Sequence, residues 1–344
     1  MLDLLDLPPV TDHSAAVAIA ALLATGTPIA RRNLNEAMTT AFGGSDADGR
    51  WTQRDSFEML EHAVSLHLTS RPYNVTSLAD VPAASAIMQL LPTQTVRSEE
   101  QINLQQFSTP VDIAAIAVLM AAIGADDIVL EPSAGNGLLI VQAPPCASLQ
   151  LNEIDAKRRE RLAGIFPDAI VTGHDGAALV SLHARLPRPT VVLMNPPFSR
   201  SVGRGEDDLA ALRHLQAAIR RVAKGGRVVA IMPDWFAPSA RLKAAYEAVL
   251  TGCTVRTSLR LEHCYRKHGT DIAVRLYVID KVAGSTSHTV IQRASVAEFL
   301  DAVTIPPRAA LVGETTIAVL PATKPSLFGA ARQGSVPAEG EMTP

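Results

Sequence analysis

The stretch that decides the fold is Ile128-Val-Leu-Glu-Pro-Ser-Ala-Gly-Asn-Gly137, where a short apolar strand ends in an acid and enters a turn of small residues. Small residues let the backbone approach a ligand closely, and a helix that begins after such a turn offers free N–H groups. The glycine spacing is not that of nicotinamide-binding folds, and Glu131 suits a cationic or amino-bearing ligand better than a pyrophosphate. We predict a ligand site on a strand–turn–helix unit here, although a tight turn alone also explains the glycines.

Around this stretch, short β-branched apolar runs alternate with helical segments. The predicted strands are 127–130, 148–151, 169–172, 190–194 and 227–232, and the predicted helices are 110–123, 156–164, 208–224 and 239–250. Such alternation is typical of βαβ units and predicts a doubly wound, mostly parallel α/β sheet. Three later runs without helices between them, 255–261, 272–280 and 289–292, predict an antiparallel edge.

The regions on either side of this sheet domain differ from it in pattern. Residues 1–100 have helical periodicity at 15–23, 55–68 and 82–91 but no catalytic pattern, so we expect a helical extension that offers a partner or DNA surface. The sheet domain is expected over 101–305. Residues 306–344 finish in a stretch rich in Pro, Gly, Ala and Ser, which predicts a linker or disordered tail.

The composition is that of a globular protein, because 47% of the 344 residues are hydrophobic and 19% are charged. No apolar run reaches ~18 residues, and the acidic N-terminus does not have the basic start of a secretory signal, so we expect no membrane contact. The three cysteines are scattered, which fits a reducing compartment and predicts a cytoplasmic location.

The charge is unevenly distributed along the chain. The net charge of −3 and the pI near 6.3 argue against a bulk nucleic-acid coat. Residues 151–275, however, contain 20 Lys and Arg against 12 Asp and Glu, whereas the rest of the chain contains 11 against 22. The basic region is available for local electrostatics, and the acidic remainder hints at a protein partner.

Two further strands end in acidic residues. In Leu149-Gln-Leu-Asn-Glu-Ile-Asp155, Glu153 lies about twenty residues after the first turn, where an acid commonly binds ribose hydroxyls, and Asp155 is predicted to cap the next helix. In Thr172-Gly-His-Asp-Gly176, Asp175 can accept a hydrogen bond from an exocyclic amine such as adenine N6. An exposed loop acid at Glu153 and an ordinary Asp-Gly turn at Asp175 are the alternatives.

The most specific pattern is Val191-Val-Leu-Met-Asn-Pro-Pro-Phe198. Prolines cannot donate to a sheet, so a buried strand that ends in this way has little structural use. The Asn195 amide oxygen and the carbonyl that follows it form two acceptors at a fixed separation, which can hold both hydrogens of an –NH2 group. Phe198, presented at the tip of the stiff loop, can stack on the ring that carries the amine.

The segment Gln105-Gln-Phe-Ser-Thr-Pro110 precedes the first helix of the sheet domain. Thr109 or Ser108 is predicted as the N-cap, with Pro110 at or near the first helical position. A helix N-terminus built in this way also suits a carboxylate ligand.

Taken in order, these motifs resemble the S-adenosylmethionine-dependent N6-adenine DNA methyltransferases that have an Asn-Pro-Pro-Phe loop. The run 265–280 is similar to methylase modules of phage and plasmid methylase–helicase proteins. The resemblance covers about 105–280 and implies a seven-stranded, Rossmann-like class I methyltransferase domain within 101–305. The implied catalytic loop is Asn195, Pro196, Pro197 and Phe198. The implied cofactor contacts are Phe107, Ser108, Thr109, Pro110, Glu131, Pro132, Ser133, Ala134, Gly135, Gly137, Glu153, Ile154, Asp175 and Asn195.

The resemblance also implies a reaction and its partners. A methyl group passes directly from S-adenosylmethionine to N6 of a flipped adenine in DNA, without a metal, and S-adenosylhomocysteine is the product. A protein partner or a fused helicase-like domain is expected to supply specificity. The candidate phosphate contacts are Arg200, Arg204, Arg266 and Lys267. One departure is Gly176, because related sequences often have an aromatic residue after the acid.

Three other functions remain compatible with the sequence. An RNA methyltransferase acting on adenine N6 or guanine N2 uses the same loop, and a protein-glutamine methyltransferase also acts on an sp² –NH2 group. A DNA-binding or anti-restriction subunit could retain the fold with weak catalysis. A zinc site at His263, Cys264 and His268 is not expected, since no fourth ligand lies nearby.

Overall fold

A computed structural model of the chain describes residues 12–71, 73–94, 108–182, 184–198, 200–201, 205–207, 209–238, 243–288, 290–293 and 295–312. Its main feature is one eight-stranded sheet, to which a two-stranded hairpin is added. The ten strands are β1 Ile128–Glu131, β2 Ser148–Asn152, β3 Ile170–Thr172, β4 Val191–Met194, β5 Arg200–Ser201, β6 Gly205–Glu206, β7 Arg227–Pro233, β8 Thr254–Leu261, β9 Val274–Asp280 and β10 Val290–Arg293.

The strand order of the large sheet is β10-β8-β9-β7-β4-β1-β2-β3. From β1 the chain adds β2 and β3 on one side and then reverses to add β4 and β7 on the other, all in parallel. The predicted doubly wound, mostly parallel sheet is therefore confirmed. The reversal places a topological switch point between β1 and β4, where ligands bind at the carboxyl ends of the strands.

Towards its far edge the sheet becomes antiparallel at β9, as the sequence predicts, but the outermost strand β10 runs parallel to β8 and not antiparallel as expected. Strand β9 runs antiparallel to both β7 and β8. The sheet has eight strands where seven were expected, because β10 adds to β8 in parallel. Every residue of β1, β4 and β7 is buried, as expected for central strands covered on both faces.

In the described part of the chain, five α-helices precede β1 and five follow it. They are α1 Asp12–Ala24, α2 Arg31–Phe42, α3 Gln53–Ser70, α4 Val81–Leu90, α5 Val111–Ala121, α6 Ala156–Ile165, α7 Leu179–Leu182, α8 Ala210–Arg221, α9 Lys243–Val249 and α10 Val296–Leu300. Helix α2 was not predicted, because its sequence is mostly polar. In the structure it buries only Leu34, Met38 and Ala41. Within the described residues, no helix is long and apolar enough to cross a membrane.

The first four helices are not a separate extension of the chain. Helix α1 packs on α2 and α3, α4 packs on α5, and α3 packs on α6 of the sheet domain. Apolar side chains from residue 15 to residue 303 form one continuous core. The N-terminal helices therefore share their core with the sheet.

The helix predicted after the first turn is absent, which corrects the strand–turn–helix prediction. Residues 138–143 form successive turns, with the Ile140 and Val141 N–H groups both donating to the Gly137 carbonyl. Only six residues separate Gly137 from Pro144 and Pro145, which is too short for a stable helix. The crossover from β1 to β2 therefore has no helix of its own.

The segment 306–312, expected to begin a linker or tail, is held against the amino-terminal edge of the sheet. The Arg227 guanidinium donates to the carbonyls of Pro306 (2.9 Å) and Pro307 (2.9 Å). Arg308 pairs with Asp127 at the start of β1. The ordered domain thus extends past residue 305, and the residues after 312 lie outside the described part of the chain.

Candidate active site

Three loops meet at the carboxyl end of β1, β2 and β3, and Asn152 joins them. Its Nδ2 donates to the carbonyls of Pro132 (3.0 Å) and His174 (2.8 Å), while its Oδ1 accepts from the Thr172 hydroxyl (2.9 Å) and the His174 N–H (2.9 Å). Asn152 is only 1% exposed. The sequence analysis missed this residue, although a polar residue at the last position of a buried strand is a usable signal.

Two buried carboxylates follow β1 and β2. The Glu131 Oε2 atom has no hydrogen-bond partner among the described residues. Burial, and then the nearby Glu153 carboxylate, hold the pKa of Glu131 well above its usual range. Glu153 accepts from the N–H groups of Gly135 (2.8 Å) and Asp155 (2.9 Å). A cationic ligand beside the pair would favour the ionised form of Glu131, which burial and Glu153 disfavour.

The turn after β1, residues 132–137 and here called the β1 turn, is closely packed. Gly135 and Gly137 both have positive φ, at 55° and 82°. A Cβ atom on Gly137 would lie 2.8 Å from the Phe166 ring. The Ala134 N–H donates to the Asn152 carbonyl (2.9 Å). Glycine at 137 is therefore required by both conformation and space.

Two further residues with predicted roles, Ile154 and Asp155, follow Glu153 after the end of β2. Asp155 caps α6, as predicted, by accepting from the Arg158 N–H at 2.9 Å. Ile154 is 44% exposed, so an apolar side chain faces solvent directly beside the Glu153 carboxylate. Such a position offers a flat apolar contact for a ligand ring.

Asp175 begins a short 3-10 turn and faces a histidine that the sequence analysis missed. Its Oδ1 accepts from the Ala177 N–H (2.9 Å) and lies 3.9 Å from His214 Nε2. A Cβ atom on Gly176 would lie 2.7 Å from His214 Nδ1, so the imidazole occupies the space that a side chain at 176 would need. Burial lowers the pKa of His214 to about 4, and the ring is neutral near pH 7.

The Asn195 amide has a defined orientation at the end of β4. Its Nδ2 donates to the Thr109 hydroxyl at 3.0 Å. Because an amide nitrogen can only donate, this contact identifies Nδ2 as the donor of the pair and fixes the orientation of the amide. Thr109 is 5% exposed and does not cap α5 as predicted, since Pro110 takes the N-cap position without a side-chain hydrogen bond.

Two aromatic residues flank this loop. Tyr265 is fully buried, and burial raises its pKa although a hydrogen bond with the Asn195 side chain acts in the opposite direction. Phe198 is 5% exposed and belongs to the core, so it is not presented at the loop tip as expected. The cost of leaving an aromatic ring in water accounts for this difference. Pro196 is buried and Pro197 half-buried.

The four candidate phosphate contacts have different environments. Arg266 is exposed and pairs with Asp271 (Nε–Oδ1, 3.0 Å). The Lys267 ammonium instead donates to the carbonyls of Gln89 and Leu91, each at 2.8 Å, and so secures the end of α4. The Arg200 side chain lies outside the described part of the structure, as do all of Arg204 and Phe107.

Metal ligands are not grouped in the part of the chain that the structure describes. No set of three or more His, Cys, Asp or Glu side chains there could hold a metal ion. His263 is exposed and pairs through Nδ1 with Asp271 (2.6 Å).

Comparisons with known proteins return structural likeness only. No protein-family model matches the sequence, and no curated protein sequence matches it. A chain named as the modification subunit of a type I restriction enzyme from Vibrio vulnificus shares 15% identity at TM-score 0.48, covering 76% of this chain and 60% of that one. The type I restriction enzyme EcoKI M protein shares 13% at TM-score 0.42, covering 80% and 61%. A Streptococcus thermophilus rRNA methylase shares 12% at TM-score 0.36, covering 52% and 99%.

The coverages and TM-scores limit how far these three structures resemble the present chain. The present chain spans less than two thirds of the length of each of the two restriction-enzyme chains. All three TM-scores are below 0.5. The fold described above rests on the strand order and strand directions of this chain itself.

Proposed function

We propose that this protein transfers the methyl group of S-adenosylmethionine to the N6 amine of adenine in DNA. The observation that carries the proposal is the orientation of Asn195 at the end of β4. Its Nδ2 donates to Thr109, which fixes the orientation of the amide at the same sheet edge as the carboxylates of Glu131 and Glu153. The Asn195 amide, which would bind the target amine, and the carboxyl groups, which would bind a cationic ligand, thus lie at the same switch point.

The residues at the switch point fit this cofactor. S-adenosylmethionine has an ammonium and a sulfonium, and Glu131 is a buried carboxylate with an oxygen that has no partner among the described residues. Glu131 would hold the amino group, Ser108–Pro110 the methionine end, Glu153 and Ile154 the ribose and the base, and Asp175 the adenine amine. When bound, the cofactor supplies an electrophilic methyl group. The cofactor's sulfur keeps the electron pair of the broken carbon–sulfur bond.

The chain's own residues act on the target amine. The lone pair of adenine N6 is delocalised into the ring, which makes the nitrogen a poor nucleophile. The Asn195 Oδ1 atom, together with the Pro196 carbonyl that the resemblance implies, accepts the two N6 hydrogens and favours tetrahedral geometry at nitrogen. An amide cannot act as a base at neutral pH, so the proton that N6 loses passes to water.

The assignment of DNA as substrate is supported by the motif resemblance and by the charge distribution. The segment 151–275, which includes this edge of the sheet, has 20 Lys and Arg against 12 Asp and Glu. A segment with excess positive charge attracts a polyanion, and an adenine within a duplex must be flipped out before its amine can reach a buried site.

Methyl transfer from labelled S-adenosylmethionine tests the proposal. The acceptors are unmethylated duplex DNA, total RNA and a glutamine-containing protein, each incubated with the wild type and with Asn195→Ala. Asn74→Ala, at an exposed asparagine outside the site, is the matched control. We expect N6-methyladenine in DNA, a loss of about a hundredfold or more for Asn195→Ala, and wild-type activity for Asn74→Ala.

Each alternative result has a distinct meaning. Label in RNA or protein but not in DNA would contradict the assignment of DNA as substrate, while the assignment of methyl transfer would stand. Full activity of Asn195→Ala would remove the catalytic assignment. Wild-type protein that neither binds the cofactor nor transfers label would contradict the proposal as a whole.

A further inference from the structure

Helix α3 of the N-terminal region lies directly on the β1 turn. The crossover after this turn has no helix of its own, and α3 packs against α6 beside it. The Ser65 hydroxyl donates to the main-chain carbonyl of Asn136 at 2.8 Å. Ser65 is fully buried and Asn136 is 3% exposed. A helix some seventy residues earlier in the chain thus contacts the backbone of the turn.

Side chains reinforce this contact and form a group that we call the α3–turn cluster. Its members are Glu58, Glu61 and Ser65 of α3, Asn136 of the turn, and Arg158 and Arg161 of α6. Asn136 Nδ2 donates to Glu58 Oε2 (3.0 Å) and to Glu61 Oε2 (2.9 Å). Asn136 Oδ1 accepts from Arg161 Nη1 at 3.3 Å. Every polar group of the Asn136 side chain is therefore engaged by α3 or α6.

Glu58 is the centre of the cluster. Arg158 binds it through Nε at 3.0 Å and through a second guanidinium nitrogen, and Arg161 binds it at 3.2 Å. Although burial acts to raise the pKa of Glu58, the contacts with Arg158, Asn136 and Arg161 lower it to about 2. The carboxylate is therefore ionised at working pH, and it joins three segments that are far apart in the sequence.

We propose that α3 is a positioning element of the cofactor site and that the α3–turn cluster sets the affinity for the amino-acid portion of the cofactor. This inference rests on the proposed function. The amino-acid portion of the cofactor would bind at the β1 turn beside Glu131. The α3–turn cluster holds the other end of this turn, at Asn136. Groups that support a binding loop must themselves be held by packing and hydrogen bonds, or the loop loses its geometry.

The inference assigns a role to the first hundred residues that differs from a partner or DNA surface. A change that displaces α3 should weaken binding of the cofactor without contacting it. The nucleoside portion is expected to be much less sensitive, because Glu153 accepts from the N–H groups of Gly135 and Asp155, Asp175 accepts from that of Ala177, and none of these residues belongs to the α3–turn cluster.

The test compares two ligands that differ by the amino-acid portion. S-adenosylhomocysteine contains it, and 5′-deoxy-5′-methylthioadenosine does not. Glu58→Gln keeps the shape of the side chain and removes its charge, while Glu160→Gln alters an exposed acid of α6 close to the same arginines. By calorimetry we expect the affinity of Glu58→Gln for S-adenosylhomocysteine to fall about tenfold or more, its affinity for methylthioadenosine to change less than twofold, and Glu160→Gln to match the wild type for both ligands.

A second variant covers the case in which Glu58→Gln fails to fold. Ser65→Ala removes only the hydroxyl that donates to the Asn136 carbonyl, and we expect the same ligand selectivity with a smaller loss. Equal losses for both ligands, or unchanged affinity in both variants, would overturn the inference while the proposed function stands. A wild-type chain that binds neither ligand would overturn the proposed function, and the inference with it.

Discussion

The two edges of the sheet contain clusters of arginine and carboxylate groups that are balanced in different ways. At the amino-terminal edge, Arg227 of β7 binds Asp280 of β9 through Nε–Oδ1 (2.8 Å) and Nη2–Oδ2 (3.1 Å). Its other donors reach the carbonyls of Met120, Pro306 and Pro307. Both charged side chains are fully buried, and the guanidinium finds five acceptors.

The carboxyl-terminal edge has more negative groups than it neutralises. Glu58 is paired with arginines, but burial and the Glu58 carboxylate raise the pKa of Glu61 to about 7. The pKa of Glu131 is also raised, well above its usual range, and its Oε2 atom has no partner among the described residues. The comparison shows that one edge uses a paired buried charge to hold the fold together, whereas the other contains buried carboxyl groups whose raised pKa values a cationic ligand would lower.

The largest effect on stability is expected at the amino-terminal edge. Asp280→Asn leaves the buried Arg227 without its counter-ion, and we expect the free energy of unfolding to fall by about 3–5 kcal/mol. Denaturant titration measures it. Lys243→Gln is the control, because its pair with Glu247 is exposed and should contribute less than about 0.5 kcal/mol. A loss below about 1 kcal/mol for Asp280→Asn would remove the contrast between the edges.

The opposite sign is expected for Glu131→Gln. Removing a buried charge that lacks a partner should raise the free energy of unfolding at pH 7 by about 0.5–2 kcal/mol, while binding of S-adenosylhomocysteine is lost. Because the folded pKa of Glu131 lies above its usual 4.5, the wild type loses stability as pH rises from 4.5 through the folded pKa. Unfolding at pH 5 and pH 8 should show this slope in the wild type and a smaller slope in the variant; a less stable variant would contradict the prediction.

A smaller effect, on the rate only, is expected at Thr109. Thr109→Val keeps the shape but removes the oxygen that accepts from Asn195 Nδ2, so the amide orientation is no longer held. We expect kcat for methyl transfer to fall about tenfold, the worth of one ordinary hydrogen bond of about 1.4 kcal/mol. Thr109→Ser retains the hydroxyl and should recover most of the rate. Equal activity of the Val and Ser variants would show that Thr109 does not orient Asn195.

The smallest effect is expected for Glu61→Gln, and it should be visible only as a function of pH. The groups that face Glu61 are Glu58, Arg158, Asn136 and Ser108. Since the folded pKa of about 7 exceeds 4.5, ionisation of Glu61 reduces stability between these values. The variant should unfold like the wild type below pH 4.5 and be slightly more stable above pH 7. Identical profiles across this range would contradict the shifted pKa.

Local patterns in the sequence predicted much of the fold. The β-branched runs that became β1, β2, β4 and β7 are short, apolar and separated by helical segments, so burial on both faces could be inferred directly. Asp155 was recognised as a cap because its partner, the Arg158 N–H, lies three residues away. The helical pattern also predicted α5 and α8, with helix ends that differ from the structure by up to three residues.

Predictions that depended on distant partners were wrong or missing. Thr109 was expected to cap α5, yet its hydroxyl serves Asn195, 86 positions later. Lys267, whose phosphate contact stays a prediction, also secures the end of α4, more than 170 positions earlier, and this role was missing from the sequence analysis. His214 was not considered, because nothing near it in the sequence shows that Gly176 will leave room for its ring.

The amino-acid sequence by itself determined the α/β alternation, the strand that ends in Glu131, and the loop at Asn195. Hydrophobic period, turn residues and helix caps act between residues a few positions apart, so they can be inferred from the chain directly. Only the tertiary structure decided that α3 covers the β1 turn, that Thr109 orients Asn195, and that Arg227 joins three segments. The partner of a buried polar group depends on which surfaces meet after packing, and no local pattern contains that information.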